Sequence, residues 1–261
     1  MTKQLFVVGS GIKSIAHLSI EAIAHIRQSE KVFYLVNEPI LQEWLHKNNE
    51  TAEPLDKNIA EGFLRSSYYQ DISKYILASF QKYSQICVVI YGHPTVFAIP
   101  ALNAAREAKK QGFITKVLPA ISAEDCLFAD LLIDPGSCGC QSYEATDFLI
   151  HVRPVNIYSH LILWQVGFIG ALGNVNSYNN QIGITQLTKY LLQFYEINHP
   201  IICYEAAMYP HVEPKIINAC LDGLAEIPLS TLSTLYLAPV LSAALNKPML
   251  DALKIPQKNL K

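Results

Sequence analysis

The sequence predicts an α/β fold in two units, and three observations carry that expectation. Apolar runs rich in β-branched residues alternate with helical periodicity through residues 1–118, as strands and helices do around a parallel sheet. The run Ile86-Cys87-Val88-Val89-Ile90 has no polar residue, which is the signature of a strand covered on both faces. Beyond Pro119 the strand-like runs crowd closer together, which predicts a mixed sheet for residues 119–241. Residues 242–261 read as a short tail, polar toward Lys261.

Residues 4–8 form the first strand, turned by Gly9-Ser10-Gly11. Residues 14–27 form a helix with Ile15, Leu18, Ala22, Ile23 and Ile26 on its apolar face. A strand, a Gly-x-Gly turn and a helix suggest backbone amides facing a ligand. The third glycine of the dinucleotide fingerprint is missing, so a tight turn without a ligand fits equally well. Residues 31–36 are a second strand, ended by Asn37-Glu38-Pro39, and 40–47 are a helix. Residues 48–64 are polar and irregular, with Pro54 and Gly62.

A long helix then opens at Arg65 and runs to about Tyr83. Arg65 and Tyr69, four apart, share one helix face. An arginine beside a tyrosine can favour the phenolate or hold an anion. A surface arginine lying over an aromatic ring explains the same spacing.

Residues 86–90 are the central strand. It stops at Gly92-His93-Pro94, where Gly92 permits unusual backbone angles and Pro94 fixes one and removes a donor. A buried strand therefore ends in a rigid bend carrying the Tyr91 hydroxyl and the His93 imidazole. Ligands of open α/β sheets sit outside the carboxyl ends of strands, so Tyr91 and His93 are candidate site residues. A plain strand-to-helix turn with a buried tyrosine is the alternative. Residues 98–111 form a helix capped by Gly112, and 113–118 a strand.

In the second unit Ser122 caps a helix over 123–131, with Asp125 three residues on. Ile133-Asp134-Pro135-Gly136 is a turn, and 141–145 a polar strand or loop. Residues 160–165 form a strand ending in the Gln165 amide, and 167–180 a loop. A helix over 184–194 precedes a strand over 200–205 that ends in Tyr204-Glu205-Ala206. Residues 216–221 read as a short helix, and 231–237 as an apolar strand carrying Ser233 and Thr234.

Composition narrows the functional classes. Hydrophobic residues make up 51% of 261, enough for a sizeable core. A net charge of -2 supplies no basic field for nucleic acid or an anionic membrane. No apolar run approaches the ~20 residues needed to span a bilayer. The N-terminus lacks the layout of a signal peptide. Six cysteines read as reduced residues of a cytoplasmic protein, several of them in apolar runs. Cys138-Gly139-Cys140 is too tight for the usual zinc pair, so no metal is expected.

Three blocks carry a family resemblance. They are Tyr91-Gly92-His93-Pro94, the long run from Leu118 through Ser122-Ala123-Glu124-Asp125 to Leu131, and Ile133-Asp134-Pro135-Gly136 with Gln141-Ser142-Tyr143-Glu144-Ala145. The chain resembles the tetrapyrrole methylase superfamily, and within it most nearly the borosin peptide backbone α-N-methyltransferases. The likeness runs from Val8-Gly9-Ser10-Gly11 to Ser233-Thr234-Leu235, and its middle block is long and specific. Most tetrapyrrole-acting relatives carry Gly-Asp-Pro where this chain has Gly92-His93-Pro94, which favours the peptide branch.

The resemblance implies two α/β domains, 1–118 and 119–241, a mainly parallel N-terminal sheet, a mixed C-terminal sheet, and S-adenosyl-L-methionine in the cleft between them. It implies that Tyr91, His93 and Val96 hold the cofactor, with Ile99 or Ala98 close by. Ser122 and Ala123, Gln165, Tyr204 and Ala206, and Ser233 and Thr234 match the family's other cofactor positions. It implies a catalytic group of Arg65, Tyr69 and Tyr91. Tyr69 would be base or proton relay, Arg65 an electrostatic stabiliser, and Tyr91 would orient amide and methyl donor.

Two departures qualify the likeness. Relatives place another tyrosine about two helical turns before the arginine, whereas residues 53–63 contain none. Fungal relatives fuse the substrate peptide to the enzyme's C-terminus, whereas this sequence stops soon after its last strand. The resemblance therefore implies a split arrangement, with a separate precursor peptide as substrate and a homodimeric enzyme. A methyltransferase acting on a tetrapyrrole or other small molecule is the alternative, and a non-catalytic precursor-binding scaffold is a third. The presence of Arg65, Tyr69, Tyr91 and His93 argues against the scaffold.

Overall fold

The computed structural model describes residues 2–56, 65–171 and 180–257, with the backbone alone for 65–68. Two five-stranded sheets form its frame. The first comprises β1 (Gln4–Gly9), β2 (Lys31–Leu35), β3 (Glu53–Pro54), β4 (Gln85–Ile90) and β5 (Ile114–Leu118). Their order is β3-β2-β4-β1-β5, and every pairing is parallel. The apolar run expected to be central is β4, and Ile86, Cys87, Val88 and Val89 are wholly buried.

Both faces of this sheet are covered, as parallel strands require. α1 (Ile20–Gln28) and α2 (Pro39–Asn48) bury Ala22, Ile26, Leu41 and Leu45 on one face. α3 (Arg65–Ala78) and α4 (Ile99–Lys110) bury Ile72, Ile76, Ala101, Ala104 and Ala108 on the other. The alanine stripe of α4 lets that helix lie close to its neighbours.

The second sheet is mixed. It contains β6 (Cys140–Glu144), β7 (His160–Trp164), β8 (Pro200–Glu205), β9 (Lys215–Cys220) and β10 (Thr234–Leu237), in the order β6-β7-β10-β8-β9. β6 and β7 run parallel, and the remaining pairs are antiparallel. α6 (Ala145–Ile150) and α7 (Gln181–Leu191) pack on one face through Phe148, Ile184, Leu187 and Leu191. On the other face Ile162, Tyr204 and Tyr236 meet Cys126 and Leu127 of α5 (Ala123–Asp130). Ile12 of the glycine turn joins the same cluster, so the two sheets share a core at this point.

Several elements differ from the sequence expectation. The helix over 14–27 is broken: a 3-10 turn spans Ser14–His17, Leu18 is extended, and Ser19 caps α1 by accepting from the Ala22 amide. A serine hydroxyl that can cap competes with helix continuation. The irregular stretch after residue 48 contains β3, whose Pro54 is tolerated at a sheet edge. The rest of the tyrosine-free stretch, 57–63, lies outside the described residues.

Residues 216–221, expected as a helix, form most of β9 in a hairpin with β8. Ile217 and Ala219 face the core while Asn218 and Cys220 face out, a period of two that a short apolar run can hide. α6, capped by the Glu144 carboxylate, was not anticipated. Residues 172–179 of the expected 167–180 loop lie outside the described residues, and Val166–Phe168 is a 3-10 turn.

The tail is not simply polar. α8 (Lys247–Ala252), capped by Asn246, stands among exposed Leu245, Met249 and Leu253. Of the cysteines, Cys87, Cys126 and Cys203 are buried, while Cys138 and Cys220 are exposed. No described helix is long and apolar enough to cross a membrane.

Candidate functional site

The carboxyl ends of β1, β2 and β4 converge. Gly11 and Gly92 exchange backbone hydrogen bonds of 3.2 and 3.0 Å, and both have φ of +70°. The Tyr91 amide donates to the Leu35 carbonyl at 3.1 Å. A Cβ at Gly9 would lie 2.3 Å from the Gly92 oxygen, 2.5 Å from Ala120 Cβ and 2.7 Å from Pro94 Cδ. Two segments, the 92–94 bend and Ala120, thus crowd one glycine, and only a hydrogen fits between them.

Beyond this knot lies a cavity of about 630 Å³. The first sheet and its helices contribute Leu35, Tyr69, Ile72, Tyr91, His93 and Val96 to its walls. The second contributes Ser122, Ala123, Trp164, Gln165, Met208 and Thr234. Residues expected from five separate stretches, Tyr69, then Tyr91 with His93 and Val96, then Ser122 with Ala123, then Gln165, then Thr234, therefore line one space. Ala98 lines it too.

Local chemistry fixes these groups. Ser122 and Asp125 form a reciprocal capping box at the start of α5, with bonds of 2.7 and 3.1 Å. His93 Nδ1 turns back onto its own loop, against the Thr95 amide at 3.3 Å and hydroxyl at 2.9 Å. Burial, aided by the Cys126 thiol, pushes the Tyr91 hydroxyl above its ordinary range, so it keeps its proton. Gln165 takes a left-handed φ of +56°, which re-aims the chain at the end of β7.

Other expected residues stand outside the lining. Ile99 begins α4 and is exposed, and Ala206 is half-buried just past β8. Tyr204 is 1% exposed, and its hydroxyl donates to Asp130 Oδ2 at 2.6 Å. Burial first, and then that bond, drive its pKa well upward. Ser233 is buried and donates to Glu205 Oε1 at 2.6 Å. The Arg65 side chain lies outside the described residues.

The sequence reading missed Phe97, Trp164, Met208 and Glu38, all of which line the cavity. Phe97 holds a positive φ of +53°, which no sequence pattern announces. Glu38 did leave a signal, an acidic residue directly before a proline, which is a helix-start pattern. Its carboxylate accepts from the Ile40 and Leu41 amides at 2.8 and 2.7 Å, from Ser14 at 2.7 Å and from Tyr209 at 2.9 Å. Burial alone would raise its pKa, but these donors outweigh it and hold the group below the usual range.

The walls combine broad apolar surface with tyrosine, serine and threonine hydroxyls and the amides of Asn37 and Gln165. Their charged members among the described residues are the carboxylates Glu38 and Asp56, with no lysine or arginine. Such a donor set suits a neutral or cationic ligand of nucleoside size better than a polyanion.

The frame has solved counterparts. A uroporphyrin-III C-methyl transferase from Thermus thermophilus, complexed with S-adenyl homocysteine, superposes with a TM-score of 0.62. It covers 97% of this chain and 100% of its own at 17% identity, a likeness of fold. The sequence profile of the Tetrapyrrole (Corrin/Porphyrin) Methylases matches residues 4–210. The chain belongs to the tetrapyrrole methylase family. The chain is also 38% identical over 256 residues to the "Methyltransferase/ribosomally synthesized cyclic peptide lentinulin A precursor" of Lentinula edodes. That match takes in 96% of this chain and 61% of the relative, so the chain spans less than two thirds of the relative's length. A methyltransferase and type I borosin cyclic peptide precursor of Coprinopsis marcescibilis is 35% identical over 263 residues, 97% of this chain and 67% of the relative.

Proposed function

We propose that this chain is an S-adenosyl-L-methionine-dependent methyltransferase acting on backbone amide nitrogens of a peptide. The observation that carries the reading is the convergence of Tyr69, Tyr91, His93, Ser122, Gln165 and Thr234 on one cavity. Relatives named as methyltransferase and cyclic peptide precursor in one chain support the peptide as substrate class.

The cavity fits the cofactor chemically. Ser122, Gln165 and Thr234 offer hydrogen bonds to its polar ends, and Val96 and Leu35 offer apolar wall. Carboxylates without a lysine or arginine among the described lining residues favour a sulfonium. Once bound, S-adenosyl-L-methionine would supply an electrophilic methyl group and leave as S-adenosyl-L-homocysteine.

The chain's own residues must make an amide nitrogen reactive. Its lone pair is delocalised and its proton tightly held, so the proton must go as charge is stabilised on the neighbouring carbonyl oxygen. Tyr69, which lines the cavity from α3, would act as base or relay, although a free tyrosine, with pKa ~10, is a weak base unaided. Arg65, one helical turn earlier on α3, would favour its phenolate. Tyr91, kept protonated by burial, would donate to the carbonyl oxygen and orient the amide. The apolar walls exclude water and strengthen each of these effects.

The peptide is taken to come from a separate precursor, and the enzyme to act as a homodimer. The test is calorimetric binding of S-adenosyl-L-methionine to the wild type and to His93→Ala. Mass spectrometry of a valine- and isoleucine-rich peptide added in trans then reads methyl transfer. Tight binding lost in the variant, with methylated peptide from the wild type, supports the reading. Absence of binding by the wild type sinks it. The family profile favours one other reading, a tetrapyrrole acceptor, which transfer to a porphyrinogen rather than the peptide would establish.

A further inference from the structure

The loop over residues 206–214 joins β8 to β9 and reaches from the second sheet to the first. Met208 of this loop lines the cavity. The next residue, Tyr209, donates its hydroxyl to Glu38 Oε1 at 2.9 Å, a partner 171 positions away in sequence. Between described residues, no other side chain of the loop hydrogen-bonds the first-sheet wall.

Glu38 is an unusual wall residue. It is 1% exposed, yet it borders the cavity. Its two oxygens receive four donors, drawn from three places: the first turn of α2, the 3-10 turn after β1 through Ser14, and the loop through Tyr209. Four donors fill the acceptor directions of a carboxylate. Glu38 therefore has no capacity left to serve as a base or to bind a ligand directly, and what it can do is hold. Ser14, one of its donors, sits at a φ of +34°, a conformation that persists only under local constraint.

We propose that Tyr209 and Glu38 are positioning residues whose hydrogen bond latches the 206–214 loop, and with it Met208, over the ligand in the cleft. Opening of the latch then sets the rate at which the ligand leaves. The ligand in question is the cofactor, so this inference rests on the methyltransferase reading above. The bond is well suited to the task. A neutral hydroxyl on a buried carboxylate is charge-assisted and strong, yet it is a single bond that can break without unfolding either sheet. Removing it leaves Glu38 with three donors, so α2 keeps its cap.

The experiment uses wild type and Tyr209→Phe, with S-adenosyl-L-homocysteine as the probe. Stopped-flow release and amide hydrogen exchange across 207–213 are measured on both proteins. The variant should release the probe about tenfold faster, the loss expected for one charge-assisted bond. Exchange across the loop should quicken while exchange in β4 and β8 stays unchanged. Equal exchange in the two proteins overturns the latch. Faster exchange with an unchanged release rate overturns the positioning role. If the wild type binds no S-adenosyl-L-homocysteine, the methyltransferase reading and the positioning role fall together, while the exchange arm still decides whether Tyr209 tethers the loop.

Discussion

Phe97 and Trp164 meet edge to face across the cleft, with ring centroids 6.0 Å apart and planes inclined by 77°. Phe97 belongs to the bend after β4 and Trp164 ends β7, so the contact joins walls built on different sheets. Phe97 pays for it in backbone strain, at a φ of +53° with 49% of its surface exposed. A strained aromatic that fills little core points to a ligand. Phe97→Gly removes strain and ring together. Thermal melts should show a midpoint unchanged or raised, while calorimetry shows affinity for S-adenosyl-L-homocysteine lowered about tenfold, in line with the loss of one aromatic wall. Unchanged affinity would remove Phe97 from the site.

The two tyrosines are separable by kinetics. Tyr69→Phe should keep cofactor affinity and lose about a hundredfold in turnover, the usual worth of a positioned acid or base. Tyr91 is held protonated by burial and then by Cys126, so its hydroxyl donates throughout the neutral range. Tyr91→Phe should therefore lower the pH–rate profile without changing its shape. If the alkaline limb disappears instead, Tyr91 is the base and the roles are reversed.

The backbone of the site was legible in the sequence because its signals are local. An unbroken apolar run announced β4, a glycine and a proline announced the bend after it, and Ser122 with Asp125 announced the capped start of α5. Side-chain commitments were not legible, since they depend on partners far along the chain. Nothing in Tyr204-Glu205-Ala206 says that the tyrosine is held by Asp130, or that Glu205 receives Ser233 and Lys215. β9 was misread as a helix because six residues are too few to separate a period of two from 3.6, and only pairing with β8 settles the matter.

Tyr204→Phe probes one of these commitments. The hydroxyl lies 2.6 Å from Asp130, which is itself half-buried at the last residue of α5. Denaturant unfolding should show a loss of about 1.5–3 kcal/mol, the net worth of a hydrogen bond to a charged group. Cofactor affinity should hold, because this oxygen is already engaged. An affinity loss with unchanged stability would instead place the Tyr204 hydroxyl on the ligand.

Gly9→Ala tests the knot beneath the cavity. The added Cβ would meet a carbonyl oxygen and a Cβ from two other segments, all within 2.5 Å, and backbone cannot swing aside as a flexible side chain can. Overpacking of this kind costs about 1–3 kcal/mol. Because the segments displaced carry His93 and Ser122, cofactor affinity should fall more steeply than the melting midpoint. A variant with wild-type affinity would show that the bend tolerates displacement and that its rigidity is not needed for binding.

Glu38 gives a prediction whose sign depends on pH. A glutamate titrates near ~4.3 when unfolded, and the four donors hold the folded group lower despite its burial. The charged form therefore stabilises the fold fully above about pH 4.3, and that stability drains away as pH falls through the depressed folded value. Glu38→Gln keeps the shape but sets an amide N–H₂ against donors, so it should melt below the wild type at neutral pH. The gap in melting midpoint should be flat above about pH 5 and shrink on acidification, as the wild type loses what the variant never had. A gap that widens in acid would mean that Glu38 is protonated more readily in the folded chain than out of it, and the carboxylate could not then be the anchor on which Tyr209, Ser14 and α2 converge.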